Sequence, residues 1–160
     1  MTSAPKPTEA FLRMLEQVAG AALAAAGFRL QENPTHHMRG LFRYAKPHAY
    51  ADGVTIYLEF QVLVYAGGPS RFKVTLLRNA GADARSPAPP NAPARFEIGL
   101  ARLLWEGFGV AQLTGPDHWW VFGDQTQLAY ALAEAGRLAF AFGVPFLEGT
   151  LAAENPIESD

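Results

Sequence analysis

"VTIYLEFQVLVY", residues 54–65, decides the fold. Val54, Ile56, Leu58, Phe60, Val62 and Val64 fall on one side of an extended chain without a break, and Thr55, Tyr57, Glu59, Gln61, Leu63 and Tyr65 fall on the other. Successive strand side chains point to opposite faces, so a period of two held this long specifies a strand with one face buried. A helix would have shifted the apolar positions by three and four. "AGGPS" follows as a turn, and "RFKVTLLR", residues 71–78, returns with its own alternation. The pair predicts an antiparallel hairpin.

Helices flank this hairpin at both ends of the chain. Thr8 is placed to cap a helix running to about Ala26, with Glu9 in its first turn, where the helix dipole favours negative charge. Phe11, Leu12, Leu15, Val18, Ala19, Ala22, Leu23 and Ala26 form its apolar face, and Gly27 is a natural left-handed stop. "MRGLFRY", residues 38–44, predicts a first strand. Near the other end, Asp124 caps a helix, with Gln127 completing a capping box. Leu128, Ala131, Leu132, Ala135, Leu138, Ala139 and Phe142 form its stripe, and Gly143 with Pro145 is expected to end it. Between these elements, "RFEIGLARLLWEGFGV", residues 95–110, reads either as helix or, at its start, as strand. Residues 79–95, "NAGADARSPAPPNAPAR", offer nothing apolar larger than alanine apart from prolines, and predict a mobile loop.

The order helix, strands, loop, strand, helix predicts an α+β fold. Its antiparallel sheet would have about four to five strands, with the N- and C-terminal helices mainly on one face. The 160 residues are the usual size of one domain, with expected flexible tails at 1–7 and 152–160.

Composition excludes several functions. With no cysteine, disulfides, thiolate nucleophiles and cysteine-bound zinc are ruled out. A net charge of −2 argues against duplex nucleic acid as a partner. No apolar run reaches membrane-spanning length, and "MTSAPKPTEA" is not a secretory leader, so a cytoplasmic protein is expected. The serines (Ser3, Ser70, Ser86 and Ser159) lie in tails or turns, and neither a nucleophile elbow nor a phosphate-binding glycine loop occurs. His36, His37 and His48 lack metal-ligand spacing, and adjacency in sequence does not orient Asp117 on His118. No catalytic residue, metal or cofactor is therefore assigned.

Two surfaces remain. "HHMRGLFRYAKPHAY", residues 36–50, interleaves Arg39 and Arg43 with aromatic rings and carries no acid, a pattern that suits an anionic ligand or a solvated strand. Tyr57, Glu59, Gln61 and Tyr65, with Lys73 and Thr75 on the next strand, would form one continuous outer face. A further strand, in "GPDHWWVFGD", residues 115–124, brings Trp119 and Trp120 to opposite faces. Val121 then accompanies Trp119 and Phe122 accompanies Trp120, so neither side is polar. The outward tryptophan is expected to be covered by residues 95–108, through Trp105 or Phe108, or by another chain.

"DHWWVFGDQTQLAYALAEAGRLAFAFGVPFLE", with "AAGFRL" after the first helix and the arginine-bearing strand that follows, resembles a bacterial family known as domain of unknown function 4304. The resemblance implies an α+β fold and brings no activity or catalytic residues with it.

Together these readings favour a non-catalytic protein-binding module, of the kind bacterial adaptor and immunity proteins represent, over an enzyme. Arg39, Arg43, Tyr57, Glu59, Gln61, Tyr65, Trp119 and Trp120 are its candidate contacts, toward a partner protein or a second copy. The alternative is a small anionic-ligand domain or enzyme whose pocket gathers Arg39, Arg43, Tyr57, Glu59 and Trp120.

Overall fold

A computed structural model of the chain describes residues 6–80 and 95–160. Helix α1 spans Pro7–Ala25. Pro7 in its first turn, not Thr8 at its cap, starts it: Lys6 is the N-cap and no side chain caps the end. Proline has its φ preset for a helix and no N–H to satisfy there, so the expected threonine cap is dispensable. The helix ends as its sequence predicts. Gly27 takes φ +93, its N–H reaches the Ala24 carbonyl, and the Phe28 N–H reaches that of Leu23 at 2.9 Å.

Strand β1 (Arg29–Leu30) leads into a short helix α2 (Pro34–Met38). The strand expected at 38–44 therefore starts later, as β2 (Leu41–Pro47). The displaced residues belong to α2 because Asn33 caps it, its side chain accepting the His36 N–H at 3.1 Å, with Pro34 in the first turn. Gly40 makes the turn between them at φ +74, pressed so close that an added Cβ would lie 2.8 Å from the Val62 carbonyl oxygen.

Strands β3 (Val54–Leu63) and β4 (Ser70–Ala80) form the antiparallel hairpin, in register from Val54 opposite Ala80 to Leu63 opposite Arg71. Burial alternates residue by residue along β3. Val64 and Tyr65 fall beyond the last pair and enter the turn, so Val64 is exposed rather than part of the core face. Asn79 and Ala80, assigned from sequence to the loop, close β4; residues 81–94 of that expected loop lie outside the described residues.

Residues 96–107 are strand and then helix. Strand β5 (Phe96–Gly99) is followed by α3 (Leu100–Arg102), which widens into a π-type turn at Leu103–Gly107. Strand β6 (Trp120–Phe122) is short, and α4 (Gln125–Leu138) starts at the predicted cap. Asp124 Oδ1 accepts the Gln127 N–H at 2.8 Å, while the Gln127 side chain accepts the N–H of Gly123, one residue before the cap.

Gly143 and Pro145 do not end this helix. A π-type turn (Ala139–Gly143) carries it into α5 (Val144–Leu147), and the chain turns only at Gly149, with φ +76. A widened turn lets a helix pass a proline that has no N–H for the preceding turn. Gly143 instead serves close approach: a Cβ there would lie 3.0 Å from Leu76 Cδ2.

The sheet runs β1-β2-β3-β4-β5, with β6 also on β4, and every pairing is antiparallel. Strand β6 joins β4 at Ser70–Phe72 and β5 joins it at Thr75–Arg78, so Lys73 and Val74 lie in a gap between the two. The buried face of α1 (Phe11, Leu15, Ala19, Leu23) meets Leu128, Leu132 and Ala135 of α4 over the sheet positions Phe42, Leu58, Phe60, Phe72 and Leu76. Residues 152–160, expected as a free tail, are tethered. The Glu154 and Asn155 N–H groups reach the Gly107 carbonyl. Ser159 and Asp160 satisfy backbone groups of Glu97 and Gly99 along the edge of β5.

Candidate functional site

Contacts from the helices reach the sheet at even-numbered positions. Phe11 packs on Phe42 and Phe72, Gly143 presses on Leu76, Lys46 pairs with Glu148, and Phe96 meets Phe146. The odd-numbered side chains of β2, β3 and β4 therefore form the outer face. Register orders them in rows. Arg43 faces Glu59, which faces Thr75; Gln61 faces Lys73; Leu63 faces Arg71, which faces Val121.

At one end of this face the cation is paired. Arg43 pairs with Glu59 at 2.5 Å, and its guanidinium lies 5.4 Å from the centre of the Tyr57 ring. The cation thus has its counter-charge and its aromatic platform within the protein. Leu77, beside Tyr57 in register, is buried. In the middle, Gln61 is held by the turn after α2, its Nε2 donating to the Arg39 carbonyl at 2.9 Å.

The other end is different. The Arg71 guanidinium lies 4.4 Å from the centre of the Trp119 ring and 5.9 Å from that of Tyr65, and Lys73 Nζ lies 5.2 Å from Trp119. Arg71 Nε, like Arg43 Nε, is out of solvent with no hydrogen-bond partner among the described residues. Among the described residues, neither Arg71 nor Lys73 forms an ion pair. Tyr65 is 48% exposed and Val121 57%, so apolar surface rims this end. Beside it, the gap between β5 and β6 opens as a notch of about 180 Å³, lined by Lys73, Gly99, Arg102, Asp117, His118 and Trp119 among others.

The two tryptophans divide as strand geometry requires. Trp120 is 3% exposed and stacks on Phe72 at 5.7 Å between ring centres. Trp119 is half-buried on the outer face. Its expected cover is only partly correct: Gly99 and Arg102 line the same notch, but Phe108 packs on Phe142, and the groups on the Trp119 ring are Arg71 and Lys73. His118 stands edge-on to Trp120 at 4.8 Å, and its Nδ1 faces the Thr114 N–H at 3.3 Å. Burial lowers its pKa, with Glu134 opposing the shift.

These positions remove one candidate contact and relocate another. Trp120 belongs to the core and is unavailable for binding. Arg39 caps the C-terminus of α2, not the strand that carries Arg43. The pocket that would have gathered Arg39, Arg43, Tyr57, Glu59 and Trp120 does not assemble, because Trp120 faces the opposite side of the sheet and Arg43 is already paired. The side chain of this cluster missed from sequence is Arg71. Its signal was the alternation of "RFKVTLLR", which puts Arg71, Lys73 and Thr75 on one side. A cleft of about 390 Å³, lined by Lys6, Glu9, Glu32, His37 and Phe42 among others, lies at the start of α1 and includes none of the candidate contacts.

No family model, curated protein or solved structure matches the chain. Among the described residues, no helix is long and apolar enough to cross a membrane.

Proposed function

We propose that this is a non-catalytic binding module that engages a partner protein through the outer face of its sheet. The observation that carries the reading is Trp119, a large ring held on the face away from the helices, with Arg71 and Lys73 against it. Tryptophan, tyrosine and arginine are the side chains that most often dominate interface energies, because each offers a large contact area with a polar handle. Here all three meet in one cluster with exposed Val121 at its rim. The resemblance to domain of unknown function 4304 supplies no activity, so the surface alone supports this reading.

The test is affinity capture from the source organism with the tagged chain, compared with a Tyr57→Ala, Trp119→Ala double variant. A Tyr130→Ala variant, altered at an exposed position on α4, serves as the control. A stoichiometric partner held by wild type and control, and lost by the double variant, is the expected result. Capture unaffected by the double variant would place binding elsewhere. Gel filtration over a concentration series separates a foreign partner from a second copy of this chain.

A further inference from the structure

The outer face carries two arginines over aromatic rings, and among the described residues only one has a counter-charge. Arg43 has Glu59 across the strand pair. Arg71, which sits on β4 where that strand joins β6, has Trp119 on one side and Tyr65 toward the other, and among the described residues no carboxylate pairs with it. Lys73 flanks the same tryptophan and likewise has no ion pair among the described residues. Asp160, close by on the notch, is bound to Arg102. A guanidinium stacked on a ring can still offer its terminal N–H groups in plane, and that pair matches a carboxylate in geometry.

From this we infer that the partner presents a carboxylate side chain, set in an apolar and aromatic segment, to the Arg71–Lys73 pair beneath Trp119 and Tyr65. The inference rests on the binding-module reading and names the chemistry of its partner. Val121 and Tyr65, both exposed beside Arg71, supply the apolar rim such a segment would cover. A polyanion fits less well. Two cations make a short track for a phosphate backbone. Asp117 lines the same notch as Lys73, and Glu97 lies farther along the face.

The experiment measures fluorescence anisotropy of three labelled probes. One is a peptide of glutamate, tyrosine and serine, the second its twin with glutamine for every glutamate, and the third an oligothymidylate of equal length. The acidic peptide is expected to bind, more weakly as salt rises, and the twin at least about tenfold more weakly still. Arg71→Gln should reduce acidic-peptide affinity by about tenfold or more, and Arg71→Lys, which keeps charge and loses the fork, by an intermediate amount. Tyr130→Ala should leave it unchanged. Melting temperatures close to that of the wild type would verify that each variant is folded. Equal binding of the twin, unaltered binding by Arg71→Gln, tighter binding of the oligonucleotide, or no binding of the acidic peptide would each overturn the inference. If the acidic peptide fails while the Tyr57→Ala, Trp119→Ala variant still loses its captured partner, the binding face stands and only the carboxylate assignment falls. If that variant keeps its partner, the binding face itself is lost.

Discussion

Trp119 and Trp120 are neighbours in the chain and live in different solvents. Trp120 stacks on Phe72 beneath the helices and is almost wholly buried, whereas Trp119 lies half-buried against two cations that have no ion pair among the described residues. Removing the first ring takes away packing that holds the sheet to its helices. Removing the second takes away a surface and leaves the core alone. A single step along the backbone thus separates a core ring from a ring on the outer face.

The largest effect should come from the inner ring. Trp120→Ala is expected to cost about 3–5 kcal/mol, because a buried aromatic loses its transfer energy and leaves a cavity. Trp119→Ala should cost about 1 kcal/mol or less, the usual scale of a partly exposed cation–π contact. Urea unfolding of the two variants measures the contrast directly. Equal losses would mean that the faces are not separated as described.

Gly143→Ala probes the inner face without touching either tryptophan. The new Cβ would meet both Leu76 methyl groups at 3.0 and 3.1 Å and Leu100 Cδ1 at 3.4 Å. A loss of about 1–3 kcal/mol is expected from overpacking. The same change should leave the acidic-peptide binding proposed for Arg71 intact, which would sharpen the division between faces. A neutral or stabilised variant in the same urea assay would show that the helix can move away from the sheet at little cost.

The smallest expected effect is at His118, which sits between the two faces. Burial lowers its pKa, so the folded state favours the neutral ring. The unfolded chain then binds more protons once the pH drops below the ordinary imidazole value of about 6.5. Its contribution to stability is full above that value and is lost as pH falls toward the lower folded-state pKa. Melting temperature should therefore fall less between about pH 7.5 and about pH 5 in His118→Gln than in the wild type. Identical pH profiles would show that the ring titrates as freely in the fold as out of it.

Much of the fold was legible locally. The alternation of 54–63 gave the buried strand, and the Asp124 and Gln127 pair gave a helix start. Local rules failed where two signals competed. Gly143-Pro145 reads as a stop, yet the tertiary need for close approach to Leu76 uses the glycine while a wide turn passes the proline. "NPTHH" carries the cap and the proline of a helix start, and the strand reading of the residues after it hid both. The outer face could be drawn from parity alone, which placed Tyr57, Glu59 and Gln61 together with Lys73. The site within it could not.

The sequence by itself determined which side chains share a face, because the pleat fixes that with a period of two whatever the strand pairs with. It also required Trp119 and Trp120 to part. Only the tertiary structure decided which face each took and what each met there. Strand β6 pairs with β4 across a long stretch of chain, and that pairing alone brings Trp119 onto Arg71 and Lys73. It also separates them from Arg43, whose counter-charge comes from its own neighbouring strand. Register between distant strands is set by the packing of the whole core, so no local pattern could specify which arginine would be left unpaired.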